Sequence, residues 1–191
     1  MVSASQKVIR RRRSWPEKSR WITISGEPKT AADARFVAIS GAAALERNLE
    51  NAIRFKLGRL SKKQVGELFD DPGPLSTFSA KVKIGHAMRL YGIRTKSDLN
   101  HVREIRNMFA HAERPITFKT RRIRDLCLAL HAPSRLSKLK PVSFDLLDNA
   151  EYRQPPYSRY RLTLDMLTIE MAILSDPKRT RRYRHRKATL P

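Results

Sequence analysis

Cysteine is nearly missing from this chain: its one thiol, Cys127, has no partner for an internal disulfide. Cys127 stands among leucines in the run RIRDLCLAL and reads as a small buried hydrophobe of a cytoplasmic protein. Long apolar runs are missing too. No stretch approaches the roughly 18 residues that a membrane helix needs. The basic start is not followed by the apolar segment of an export signal. Glycine, with 7 of 191 residues, and proline, with 11, are too few for a collagen-like or wholly unstructured chain. His86, His101, His111 and His131 have no ligand spacing and no cysteine partners, and no glycine-rich phosphate loop is present. Neither a metal nor a cofactor is expected.

Acidic residues are the other scarcity, 18 against 40 lysines and arginines, for a net charge of +22. The excess is concentrated at the ends. Residues 7–20 carry seven basic side chains, including Arg10, Arg11, Arg12 and Arg13, against one acid. Residues 178–187 carry seven more, including Arg179, Arg181, Arg182, Arg184 and Arg186, and no acid. The rest of the chain has 26 basic and 17 acidic residues, a net of +9. Blocks of like charge repel one another and offer nothing apolar to pack. Residues 1–30 are therefore expected to form an arm, 31–177 one helical domain, and 178–191 a disordered tail. Such arms suit a polyanion, because each neutralised phosphate releases counterions. Nucleic acid, DNA or RNA, is the expected partner, and a membrane is not.

The apolar 40% of residues suffices for a core. Ala38, Ala42, Leu45, Leu49, Ala52 and Ile53 recur near a 3.6-residue period, with Phe36, Val37 and Ile39 broadening the stripe near its start, and predict a helix over 31–57, closed by Gly58. Ser61 is placed to cap a short helix that follows. Helices are further predicted over 75–90, with Ser76 and Ser79 as candidate caps, over 97–110 with Ser97 as cap, over 121–130 and over 162–174. Residues 131–141 and 151–160 read as loops, and 141–150 as a turn or two of helix. Gly85 inside its helix calls for a close contact or a break. Nothing alternates strand with helix, so the expected fold is all-α, a compact bundle of about four to six helices.

Three stretches carry more specific information: GPLSTFSAKVKIGHAMRLYG (73–92), DLNHVREIRNMFAHA (98–112) and PITFKTRRIRDLCLAL (115–130). Together they resemble the mannitol operon repressor family. That resemblance implies an all-helical fold and a role as a transcriptional repressor, without a recognisable helix-turn-helix. The extreme basic ends are not part of the shared pattern. The element Arg106–Asn107–x3–His111 also resembles HEPN domains, whose ribonuclease members use an arginine and a histidine on RNA, usually across a homodimer.

The chemistry of this element is coherent. A histidine near neutral pKa can move the proton of an attacking hydroxyl, and an arginine can hold the phosphate. Arg103, Asn107 and His111 are four apart and share a helix face. Arg106 and His111 are five apart, about 140° around an ideal helix. Arg106 must curl round, or a partner subunit must supply one of the pair, for both to reach one phosphate. His111 equally suits a helix C-terminal cap. Phosphate binding is expected at Lys81, Lys83, Arg103, Arg106 and Asn107. The cluster Tyr152, Arg153, Tyr157, Arg159, Tyr160 and Arg161 suits base stacking, or packs on the domain. The expected function is regulation by a repressor that binds nucleic acid or a protein partner, with a homodimer allowed. The alternatives are a metal-independent ribonuclease using Arg106 and His111, and a non-enzymatic helical adaptor.

Overall fold

Helix caps and apolar periods set the architecture of the computed structural model, which describes residues 27–136 and 155–176. The helices are α1 (Ala31–Leu57), α2 (Lys62–Phe69), α3 (Phe78–Ala87), α4 (Ile93–His111), α5 (Arg121–Leu128), α6 (Ala132–Leu136) and α7 (Pro156–Leu174). The fold is all-α, with no strand among the described residues. Both basic ends, and the turn expected over 141–150, lie outside the described residues.

The start of α1 is fixed by a reciprocal capping box: Asp33 N–H donates to Thr30 Oγ1 at 3.0 Å, and Thr30 N–H to the Asp33 carboxylate at 3.2 Å. Its buried stripe is the predicted one with Val37 and, in addition, Ala34. Phe36, expected to broaden the stripe, instead points to solvent because helix period carries it to the side opposite the buried positions, and Ile39 is half-buried. Gly58, at φ 91°, ends the helix in a conformation that a side chain would strain. Ser61 caps α2 as expected, with Gln64 completing a second box.

Helix α7 runs parallel to α1. The Tyr160 hydroxyl donates to the Ala38 carbonyl at 3.1 Å, and Leu164 packs over Gly41, where a Cβ would stand 2.5 Å from Leu164 Cδ1. Helix α4 lies antiparallel to both. Its C-terminal Ala110 carbonyl meets Arg35 near the start of α1, while Thr95 near its own start is tied through Arg135 to Glu170 near the end of α7. Phe109, Phe118, Tyr157 and Tyr160 fill the core at one end, with ring centroids 5.1–5.2 Å apart. Each such pair adds about 0.5–1.5 kcal/mol beyond area burial.

Four boundaries differ from expectation. Helix α3 begins at Phe78 under the Thr77 hydroxyl, which accepts from Ala80 N–H at 3.1 Å; Ser76 and Ser79 do not cap it. Helix α4 begins at Ile93 rather than at 97, because Thr95 is a buried helical residue with a tertiary partner in Arg135 instead of a loop residue. Residues 132–136 are helical because Asp98, from α4, accepts the N–H groups of His131 at 2.8 Å and Ala132 at 2.9 Å. Helix α7 starts at Pro156, a residue pre-set for a first helical turn, so most of 155–160 is helix and not loop.

Candidate anion-binding face of α4

Leu99, Val102, Ile105 and Phe109 face the core, so Arg103, Asn107 and His111 fall on the outer side of α4. Arg103 and Asn107 are half-buried and His111 is exposed. Arg106 starts on the flank of this row, and its guanidinium curls round to donate to Asn107 Oδ1 at 2.9 Å. That places a cation on the residue one turn before His111. No hydrogen bond joins Arg106 to His111 among the described residues. With its oxygen engaged by Arg106, Asn107 keeps its amide N–H groups as donors.

The electrostatics of this face are one-sided. Glu104 lies beside it but is taken by Arg122 of α5, at 2.6 Å and 3.2 Å. Arg103 Nε is buried without a hydrogen-bond partner. Neither Arg103 nor Arg106 has a carboxylate within ion-pair distance among the described residues. Arg35 of α1, which sequence spacing did not single out, joins the face by donating to the Ala110 carbonyl at 2.8 Å. No local pattern could have revealed it, since 75 residues separate the two.

Lys81, expected on a cationic surface, is only 5% exposed. Its Nζ lies 3.0 Å from Glu46 Oε1 and 3.0 Å from Glu50 Oε2, so it locks α3 to α1 and is not offered to a phosphate. Burial alone would lower its pKa. The two carboxylates outweigh that by hydrogen bonding and charge, and the net shift is upward. An open depression of about 460 Å³ beside this pair is lined also by Ala43, Arg47, Asn51 and Arg54. Lys83 is exposed.

Of the two readings of the tyrosine–arginine cluster, the described residues follow the one that packs on the domain. Tyr157 and Tyr160 are core residues. The Arg159 guanidinium donates to the carbonyls of Cys127, Leu128 and Leu130 at 3.1, 3.0 and 2.7 Å, closing the end of α5. Arg161 pairs with Asp165 at 3.2 Å. These side chains have structural work that a stretch of sequence rich in tyrosine and arginine does not display. Tyr152 and Arg153, together with the arginines of both basic ends, lie outside the described residues.

Two other histidines are tied into the fold. His131 Nδ1 is 3.0 Å from buried Asp98, and His86 Nδ1 is 3.2 Å from the Tyr91 carbonyl. Among the described residues no three His, Cys, Asp or Glu side chains gather as a metal site. None of the described helices is long and apolar enough to cross a membrane.

The fold and this face define a class: a helical bundle that carries an acid-poor row of arginine and amide side chains on one central helix. Beyond class, the fold has a likeness among solved structures. The chain is similar to a chain in the X-ray structure of the MtlR-HPr complex from Escherichia coli, with a TM-score of 0.57 and 20% sequence identity. The match covers 76% of this chain and 92% of that one. No protein-family model matches the sequence, and no curated protein does.

Proposed function

We propose that this protein is a non-enzymatic regulator of the mannitol-repressor type, which binds nucleic acid or a regulatory protein partner through basic surfaces. The observation that carries this reading is the outer face of α4, where Arg103 and Arg106 stand without a carboxylate partner around Asn107. Clustered cations repel one another, and an anionic ligand relieves that repulsion. The basic ends extend the same preference, and their phosphate contacts position a chain without reading sequence. The fold likeness to a chain of the MtlR-HPr complex supports a regulatory, partner-binding role. The cytoplasm is the compartment that suits such a role.

The test is a salt titration of binding by the full chain to labelled DNA and RNA. Affinity is expected to fall steeply with salt. Arg103→Ala and Arg106→Ala should each reduce the slope by about one contact. Salt-independent binding, or none to either polymer, contradicts the nucleic-acid arm and leaves a protein partner as the ligand.

One observation favours a second reading. Arg106 folds onto Asn107, within one turn of His111, which is the pairing a metal-independent ribonuclease would use. RNA cleavage that is lost in folded Arg106→Ala and His111→Ala variants would establish it.

A further inference from the structure

Helix α7 is apolar on two opposite sides. Tyr157, Tyr160, Leu164, Leu167 and Met171 face the core. Leu162, Met166, Ile169 and Ile173 recur at spacings of four, three and four, and the helical period carries them to the far side. Ile169 leaves 53% of its surface exposed, and the other three are half-buried. None of the four belongs to the hydrophobic core or to the partly buried shell packed on it, although Leu174 of the same helix does. The bonds that α7 makes to α1, α5 and α6 leave from Tyr160, Arg159 and Glu170, none of them on this stripe. A helix that is apolar all round belongs inside a fold, so the outer stripe calls for a cover.

The course of the chain points to one. Arg135, next to the end of α6, has Nη1 3.5 Å from Glu170 Oε2. Glu170 stands four residues after Met166 and three before Ile173, so α6 stops at the edge of the stripe. The chain returns at Pro155, the N-cap of α7. From Pro155 to Glu170 the helix spans about 22 Å. The intervening residues 137–154, which lie outside the described residues, reach about 60 Å when extended. That length leaves room for two turns of helix beside α7. Within it, PVSFDLLDNA (141–150) has a helical period that puts Val142, Phe144, Leu146 and Leu147 on one side and Asp145, Asp148 and Asn149 on the other.

We propose that residues 141–150 form an amphipathic helix that docks on the outer stripe of α7, with its apolar side over Leu162, Met166 and Ile169. A second copy of the chain offers the same kind of apolar surface. Four side chains, however, fall far short of the roughly 20–30 residues a side of a stable interface between molecules. A segment tethered at both ends needs no such area, because its effective concentration is on the order of millimolar. The two aspartates on its other side remain in water.

The experiment uses the full chain. Ile169→Cys places a thiol on the stripe, and Cys127, at 0% exposure, serves as an internal control. Reaction of each thiol with a maleimide is followed by mass spectrometry of the digested protein. The introduced thiol is expected to react about tenfold more slowly than a cysteine in a short peptide, at a rate independent of protein concentration. Phe144→Ala together with Leu147→Ala should raise that rate about tenfold while Cys127 stays unmodified. A rate equal to the peptide's shows the stripe open and overturns the proposal. Protection that grows with protein concentration, and that the two alanines leave unchanged, gives the stripe to a second copy instead. Equal acceleration at Cys127 shows general unfolding and contradicts a segment docked on the outside of the bundle.

Discussion

Lys81 Nζ and Glu46 Oε1 stand 3.0 Å apart across the α1–α3 contact, with Glu50 completing the pair from one turn further along α1. The lysine is nearly buried and both glutamates keep some water, with side-chain exposures of 7% and 23%. Removing the cation would leave two carboxylates facing each other at a helix interface. Lys81→Met is expected to cost about 2 kcal/mol, less than a fully buried pair because the glutamates remain partly solvated. Urea unfolding measures the loss. Nucleic-acid binding by the folded variant should be unchanged, which separates this lysine from the α4 face.

Asp98 gathers three N–H donors at one buried carboxylate: the backbone of His131 and Ala132, and the His131 ring. It builds α6 from a helix 33 residues away. Asp98→Ala leaves those donors unsatisfied and should cost about 2–3 kcal/mol. Asp98→Asn keeps one acceptor and turns an amide N–H against the second donor, so its loss should be smaller. Chemical unfolding curves of the two variants, ranked in that order, check the role.

Gly85 exists for Tyr91. A Cβ there would lie 2.7 Å from Tyr91 Oη, whose hydroxyl donates to the Val82 carbonyl at 3.0 Å. Gly85→Ala should destabilise by about 1–3 kcal/mol through overpacking. Adding Tyr91→Phe removes the nearest atom and should recover part of that loss. A double-mutant cycle with no coupling between the two would contradict this contact.

Alkaline pH should unfold the protein early. Burial pushes the Cys127 thiol up to about 12 from an ordinary 9.0, against a small lowering by Arg159. Tyr91 and Tyr160 are raised by burial as well, and Lys81 is raised by its glutamates in spite of burial. For every one of these groups the folded state holds its proton more tightly than the unfolded chain does. Their contribution is therefore complete below the ordinary values and is lost as pH rises through the folded ones. Stability should be level near neutrality and decline from about pH 9, and Cys127→Ala should delay the first part of the decline. In the native state Cys127 should react with thiol reagents only as fast as the protein opens.

Much of this fold can be read along the chain where local chemistry decides it. The α1 stripe apart from Phe36, its end at Gly58 and the Ser61 cap follow from period and capping residues alone, and stand as expected. The failures share a cause, which is partners distant in sequence. Thr95 looks like a loop residue until Arg135 supplies its bond, and 132–136 looks like loop until Asp98 caps it. Lys81 looks like a surface cation until Glu46 and Glu50 are brought to it from 35 and 31 positions away. For Tyr157, Arg159 and Tyr160 the sequence left stacking and packing open, and only the placement of α7 against α1, α5 and Phe118 decides for packing. The candidate face was half legible. Arg103, Asn107 and His111 share it because of helix period, whereas the turn of Arg106 onto Asn107 and the arrival of Arg35 needed the packed helices.

The central claim is that the α4 face holds a polyanion without cutting it. One assay tests both halves: labelled single-stranded RNA is incubated with the full chain, and both retention and strand length are read. The predicted result is full-length RNA retained in a salt-sensitive way, with retention lowered about tenfold when Arg103 and Arg106 are both replaced by alanine. RNA shortened by the parent and left whole by folded His111→Ala and Arg106→Ala variants would contradict it.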